Sequence, residues 1–271
     1  MKLDSNLAWK EASALISANR EVLLAIAGVF IVLPSLAFAL FYPQPEPRQG
    51  MQPAEIMQMM QAYYASALPL MIPLILIEGT GVLAIMALFT DRTRPTVGQA
   101  LGQGAAALLP YIGALLLVGF AFGLAIGLTS ALGLAIGSRA LAGIAVIAVL
   151  VAYIYVMFRV ALLAPVVVVE RIRNPIAALR RSWSLSRGNT GRIALFLILV
   201  IVAFLVVMVI VMALVGVILA LTLGGSGAKT IAALFSSALG AVLTLYLMAI
   251  LAAIHRQLAG PSSAAVSKTF E

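Results

Sequence analysis

Long apolar stretches separated by short polar segments make up most of the chain. A helix needs about 20 mostly apolar residues to cross a membrane, because each residue rises about 1.5 Å and the hydrocarbon core is about 30 Å thick. The pattern therefore predicts six transmembrane helices in three hairpins. The fourth contains Pro165, which predicts a kink because proline lacks a backbone donor. The predicted ranges are 22–42, 66–90, 106–128, 140–169, 193–223 and 231–254.

Amphipathic segments precede the hairpins. In 4–19 and 175–187, apolar residues recur at spacings of three and four, which places them on one face of a helix. Such helices lie in the headgroup layer, where tryptophan is enriched, and both tryptophans of the chain fall in these two segments. We therefore predict interfacial helices at 4–19 and 175–187, and expect a third at 96–109. On the opposite side, 53–65 is expected to form a short amphipathic helix ahead of the second span.

The composition argues against a soluble domain. Hydrophobic residues make up 63% of the chain and charged residues only 10%, whereas soluble domains have about 25% charged residues. We therefore predict a single all-α, polytopic membrane domain over 1–271. The net charge of +8 does not indicate nucleic-acid binding, which would need a basic face on a soluble domain.

Catalytic and metal-binding chemistry has few candidate residues. The chain has no cysteine, which excludes disulfides and thiolate ligands. His255 is the lone histidine, so it cannot build a multi-histidine metal site or one of the usual catalytic sets. We expect His255 to be an ordinary interfacial residue, and we expect no catalytic residue, metal or cofactor.

Basic residues are distributed unevenly between the two predicted faces. The side of the termini carries thirteen Lys and Arg residues, and the other side carries three. Cytoplasmic loops of membrane proteins carry an excess of Lys and Arg. Both termini, including a tail at 255–271, are therefore predicted to be cytoplasmic. The basic segments are expected to meet anionic membrane lipids.

Two ionisable residues fall inside predicted spans, Glu78 in the second and Arg159 in the fourth. A charge at this depth costs a few kcal/mol unless it is paired or hydrated. Counted from the basic side, their depths agree within about one helical turn, so we hypothesise that Glu78 and Arg159 pair inside the bundle. The pair could be structural, or it could be a proton or substrate site; the sequence leaves both open.

Six arginines and no acid occupy 171–192. Because a guanidinium can hold phosphate bidentately, Arg180, Arg181 and Arg187 are candidate ligands for an anionic lipid headgroup or for an acidic protein partner. The alternative is that these arginines only orient the chain in the membrane. No particular protein partner is indicated by the sequence.

Small residues recur every four positions in the third span, at Gly119, Gly123 and Gly127. This spacing lets two helix backbones approach closely. We predict that these glycines pack against another helix of the same chain. The alternative is a face that joins two copies of the chain.

The stretch at 159–192 reads RVALLAPVVVVERIRNPIAALRRSWSLSRGNTGR. It resembles a diffuse group of bacterial inner-membrane proteins that includes YciC-like proteins and the membrane domain attached to some glycerophosphodiester phosphodiesterases. The resemblance implies a six-span bundle in a bacterial inner membrane. In those enzymes catalysis resides in a separate soluble barrel, which is not seen here, so no activity is carried over. The matching positions are Arg159, Ala164, Pro165, Glu170, Ala178, Leu179, Ser182, Trp183, Leu185 and Gly188.

Two functions are compatible with these observations. The first is a non-enzymatic integral membrane protein with an envelope or lipid role, acting through anionic-lipid or partner binding. The alternative is a transporter or permease for a small molecule or lipid, with an intramembrane site at Glu78. A cavity that reaches Glu78 from one face would favour transport, whereas a tightly packed bundle would favour the first function.

Overall fold

The computed structural model describes residues 2–90, 95–223 and 226–260. Regular structure in these ranges is helical throughout, and a π-helical segment, Gly28–Val32, joins the second and third helices. The helices are α1 (Ser5–Ala18), α2 (Arg20–Ala27), α3 (Leu33–Phe41), α4 (Pro53–Thr90), α5 (Val97–Ala135), α6 (Arg139–Arg159), α7 (Leu163–Val169), α8 (Pro175–Ser186), α9 (Thr190–Thr222) and α10 (Ser226–Ala259).

Six helical segments in the described ranges are long and apolar enough to cross a membrane, which confirms the predicted number of spans. The protein is an all-α, multi-pass integral membrane protein. Two further helices, α1 and α8, lie outside the spans, where interfacial helices were predicted. The spans are Arg20–Phe41, Pro53–Phe89, Val97–Ala135, Arg139–Val169, Thr190–Thr222 and Gly227–Ala259.

Two segments predicted to form helices ahead of the second and third spans are continuous with those spans. Residues 53–65 form the start of α4, and residues 97–109 form the start of α5. The prediction of a third interfacial helix at 96–109 is therefore wrong. The hydrophobic pattern changes in these segments, but nothing ends the backbone hydrogen bonding there, and in α5 the helix continues through Pro110. Prolines are tolerated inside membrane helices because neighbouring groups satisfy the freed carbonyls.

The fourth span is broken into α6 and α7 close to Pro165. Val160 and Leu162 cap the two helices, and Pro165 lies in the first turn of α7. A proline removes the hydrogen bond to the carbonyl four residues earlier, here that of Ala161, and its ring clashes with that carbonyl. The break at 160–162 therefore lies where Pro165 interrupts the helix, as the predicted kink requires.

Buried side chains are concentrated at one end of the bundle. Residues 83–87 of α4, 162–168 around α7 and 249–254 of α10 are all buried. This end also carries α1, α8 and the arginines of 171–192, and we call it the basic face. Along α9, by contrast, no residue between 201 and 218 is buried. Lipid tails are as apolar as leucine, so such a surface is stable in a membrane without a protein neighbour.

Close helix packing occurs at glycines other than the predicted ones. A Cβ on Gly104 of α5 would lie 2.5 Å from the carbonyl oxygen of Thr80 in α4, so only glycine allows this approach. In contrast, a Cβ on the predicted glycines would meet no atom within 4 Å. All three are exposed on α5, and the prediction that they pack against another helix of this chain is wrong. These three residues are Gly119, Gly123 and Gly127.

Candidate functional site

The α8 helix lies on the basic face with its small residues turned inward. Ala178, Ser182 and Ser186 are buried, whereas Ile176 and Trp183 are exposed. Two of the large apolar side chains of α8, Ile176 and Trp183, therefore face outward, whereas Leu185 is buried. This arrangement suits a helix in the headgroup layer, where exposed apolar and aromatic side chains enter the edge of the hydrocarbon.

The serines of α8 bond the end of α6. Ser186 Oγ donates to the carbonyl oxygen of Arg159 at 2.8 Å, and Ser182 Oγ donates to the same oxygen at 3.4 Å. The last carbonyls of a helix have no intrahelical partner and need one from elsewhere. The break after Arg159 creates this need, and α8 supplies the hydroxyl groups that meet it.

Arg159 is buried beneath α8, with only 5% of its surface exposed. Its guanidinium carbon lies 4.2 Å from the centroid of the Trp183 ring, and its Nη1 donates to Thr190 Oγ1 at 3.1 Å. Its Nε is buried and has no hydrogen-bond partner within the described ranges. Stacking on tryptophan stabilises the charge partly, but no acidic side chain among the described residues forms an ion pair with it.

The predicted pair of Glu78 and Arg159 is not formed. Ser35 Oγ of α3 donates to Glu78 Oε1 at 2.7 Å, and the described part of the chain shows no ion pair between Glu78 and Arg159. The sequence count assumed one straight helix through the fourth span. The break after α6 instead places Arg159 at a helix end on the basic face, whereas Glu78 lies within α4. Asp91, the border residue of that count, lies outside the described residues.

Three side chains join α7, α8 and α10 in what we call the Glu170 cluster. The Glu170 carboxylate accepts from Arg181 Nε at 2.7 Å and contacts His255 Nε2 at 2.9 Å. Burial by itself would raise the pKa of Glu170, but the hydrogen bonds and charges of His255 and Arg181 lower that pKa from 4.5 to about 2. Glu170 is therefore ionised and bound at any physiological pH.

A second set of contacts fixes α1 to α10. Arg256 Nη2 lies 3.2 Å from Glu11 Oε2, and the Trp9 and Tyr246 rings stack with their centroids 5.4 Å apart. As in α8, small residues of α1, such as Ala8, face the bundle. The basic face is thus a layer of two interfacial helices held by polar contacts, and its geometry is fixed from several sides.

The predicted lipid-binding arginines do not share one environment. Arg181 is half-buried and its Nε donates to Glu170 at 2.7 Å, so its charge is already paired within the protein. Arg180 and Arg187 are exposed on α8 and its end, as a headgroup site requires. Neither forms an ion pair with any acidic side chain that the structure describes.

A polar groove of about 510 Å³ lies between the start of α5 and the loop after α7. Arg171, Arg173 and Gln99 line it, and we call it the arginine groove. Arg171 has a φ of 54°, a left-handed conformation that is uncommon for a residue with a side chain. Both arginines are exposed, and neither forms an ion pair in the described ranges.

Two apolar grooves of about 320 Å³ each lie beside the interfacial helices. The first, which we call the α8 groove, lies between α5, α6 and α8 and has Trp183 and Arg180 among its lining residues. The second, the α1 groove, lies between α1 and α9 and has Trp9 and Ala203 among its lining residues. Glu78 lines none of these three grooves.

Sequence reasoning missed the Glu170 cluster and the arginine groove. A signal for the cluster was present, because Glu170 is the only acidic residue between Asp91 and Glu271. An isolated carboxylate among arginines at the end of a span is expected to have a structural partner. Its second partner, His255, is 85 residues further along the chain, and nothing in the local pattern pointed to that contact.

Among the described residues, no three His, Cys, Asp or Glu side chains are grouped as metal ligands. Neither a curated protein nor a solved structure matches the chain. Residues 12–258 match a family described as a domain of unknown function, DUF7847, and this range includes α8 and the Glu170 cluster. The chain therefore belongs to the DUF7847 family.

Proposed function

We propose that this protein is a non-enzymatic protein of a bacterial inner membrane that binds anionic lipid headgroups at its basic face and so supports an envelope or lipid function. The observation that carries the proposal is a set of exposed arginines on this face that form no ion pair within the described ranges. The proposed resemblance to YciC-like proteins is compatible with this role. The arginines are Arg171, Arg173, Arg180, Arg187 and Arg192.

The physical basis is the negative potential of a membrane surface that contains anionic lipids. Each Lys or Arg held near such a surface contributes about 1 kcal/mol of attraction. The two interfacial helices hold the arginines at the level of the headgroups. On this face Glu170 is already bound by Arg181 and His255, and Glu11 lies 3.2 Å from Arg256. The exposed arginines therefore present positive charge that no ion pair among the described residues neutralises.

The arginine groove offers the most concave part of this surface. Arg171 and Arg173 lie two residues apart and line the same groove of about 510 Å³. Two guanidinium groups in one groove can contact a single phosphate with several charge-assisted hydrogen bonds. A concave site with two guanidinium groups therefore supports binding of a single headgroup, and not only a general attraction of the basic face to the membrane surface.

The binding test compares two double variants in nanodiscs of phosphatidylglycerol and phosphatidylcholine. Removing two charges as Arg171→Gln with Arg173→Gln should weaken phosphatidylglycerol binding by about 30-fold, taking about 1 kcal/mol for each arginine. Arg48→Gln with Arg139→Gln is the matched control, since both arginines are exposed on the opposite side. Native mass spectrometry reports the retained lipid. Equal retention by both double variants would refute the proposal.

Because the chain contains no cysteine, its orientation in the membrane can be tested with single introduced cysteines. We expect the basic face to be cytoplasmic. Ser184→Cys on α8 should therefore react with a membrane-impermeant maleimide only after cells are permeabilised, whereas Gln49→Cys should react in intact cells. Both residues are exposed in the structure. The reverse labelling pattern would place the basic face outside.

Transport is the second candidate, and one observation favours it. Glu78 lies in a span and accepts a hydrogen bond from Ser35, three residues after the π-helical segment. Such segments are frequent at functional sites. If the protein transports protons, proteoliposomes that contain it should show proton influx, detected with a pH-sensitive dye. Glu78→Gln should abolish this influx. The lipid-binding function predicts equal leak rates for the variant and the wild type.

A further inference from the structure

We propose that the α8 groove binds one anionic phospholipid, with an acyl chain against its apolar wall and the lipid phosphate on Arg180. The proposal rests on the proposed function, because it assigns a defined lipid site to the basic face. Beyond the proposed function, it assigns a single bound lipid molecule to a groove that is distinct from the arginine groove. The lining residues are Val118, Val156, Val160, Leu179, Arg180 and Trp183.

The wall of the groove has the chemistry of an acyl-chain site. Val118 of α5 and Val156 of α6 come from two spans, and Leu179 comes from the interfacial helix that covers them. Val156 lies about one turn before the end of α6, so the groove runs from the headgroup level toward the hydrocarbon. A surface of aliphatic side chains in this position is covered by hydrocarbon rather than by water.

Trp183 is held in place as a rigid part of the rim. The guanidinium of Arg159 lies 4.2 Å from the centroid of its ring, and Tyr155 meets the ring edge-on with centroids 6.2 Å apart. The ring is therefore fixed from two directions before any lipid binds. A preformed rim lowers the ordering cost of binding.

Two arginines beside Trp183 form no ion pair in the part of the chain that the structure describes. Arg159 contacts its ring, and Arg180 lines the same groove. Glu170 is bound by Arg181 and His255. Arg159 is buried, and its Nε has no hydrogen-bond partner among the described residues. Two positive groups with no counter-charge fit a ligand that carries a phosphate.

The α1 groove provides an internal comparison. It has the same volume of about 320 Å³ and is lined mostly by apolar residues, together with Ser5 and Asn6. None of its lining residues is basic. It should therefore take an acyl chain with no preference for the headgroup, whereas the α8 groove should select an anionic lipid.

The experiment measures lipid retained by the whole protein after release from nanodiscs that contain equal amounts of phosphatidylglycerol and phosphatidylcholine. Native mass spectrometry should show one phosphatidylglycerol held at collision energies that remove other lipids. Val156→Trp, which fills the groove, and Arg180→Gln, which removes the phosphate contact, should each lose it. The controls Ala203→Trp in the α1 groove and Arg139→Gln on the opposite side of the membrane should keep it. Arg180 is exposed, so its variant tests the site even if Val156→Trp fails to fold.

Several results would overturn the site. They are retention of phosphatidylcholine as strongly as phosphatidylglycerol, no retained lipid on the wild type, or no loss in Arg180→Gln. If binding depends on Arg171 and Arg173 but not on Arg180, this inference is wrong and the proposed function stands. If no arginine variant on the basic face changes phosphatidylglycerol binding, both proposals are wrong.

Discussion

Replacing Glu170 by alanine is expected to destabilise the bundle, because its carboxylate joins α7, α8 and α10. The change leaves His255, whose side chain is 5% exposed, without its 2.9 Å partner. An unpaired buried polar group costs about 1–3 kcal/mol. The contact with Arg181 adds at most about 1 kcal/mol, since solvent screens this partly exposed arginine. We therefore expect the free energy of unfolding to fall by about 1–4 kcal/mol.

The measurement is the equilibrium unfolding of the whole protein in bicelles by steric trapping, which reports a free energy without an extrapolation in detergent. Glu46→Ala is the matched control. Glu46 forms an ion pair with Lys229 at 3.4 Å, but their side chains are 85% and 78% exposed, and exposed pairs contribute little. A Glu170→Ala value within about 0.5 kcal/mol of the control would mean that the cluster does not hold the three helices together.

Three further predictions concern the pH dependence of stability, a hydrogen bond of α8 and the packing of α4 against α5. Burial opposes the shift, but the contacts with His255 and Arg181 lower the pKa of Glu170 from 4.5 to about 2. The ionised carboxylate therefore stabilises the folded protein fully above pH 4.5, and this stabilisation is lost as the pH falls toward 2. Glu170→Gln should lack this acid-dependent loss of stability. Ser186→Ala removes a 2.8 Å hydrogen bond to the Arg159 carbonyl and should cost about 1 kcal/mol, with faster hydrogen exchange in α8. Gly104→Leu should destabilise the contact between α4 and α5 by about 1–3 kcal/mol, whereas Gly123→Leu should leave the free energy of unfolding unchanged.

The sequence determined the solvent and the number of spans. Crossing a hydrocarbon core requires a minimum length of apolar helix, and this requirement acts on each segment separately. The prediction of six spans needed no knowledge of which helices touch. The helices α1 and α8 were equally predictable, because apolar residues at spacings of three and four in 4–19 and 175–187 are a local pattern.

The sequence did not determine which faces of the helices meet. In a soluble protein, apolar side chains mark the face of a helix that is buried. In a membrane, lipid tails are as apolar as leucine, so apolar side chains do not show which face meets another helix. Gly123 and Gly104 both lie in small-residue surroundings of the same helix, yet only Gly104 meets a neighbouring backbone. In the same way, Trp183 is turned outward and the small Ser182 inward.

The polar contacts were decided only by the tertiary structure. Arg159 was paired in the sequence with Glu78 because their depths agreed along straight helices, but the break after α6 places it under α8 with Trp183 and Thr190. Glu170 and His255 meet across 85 residues of chain. Depth in the membrane can be counted from the sequence only while a helix runs straight, and the break after α6 ends that count at Arg159. The neighbour of a side chain at that depth depends on how the segments pack, and local hydrophobicity carries no information about it.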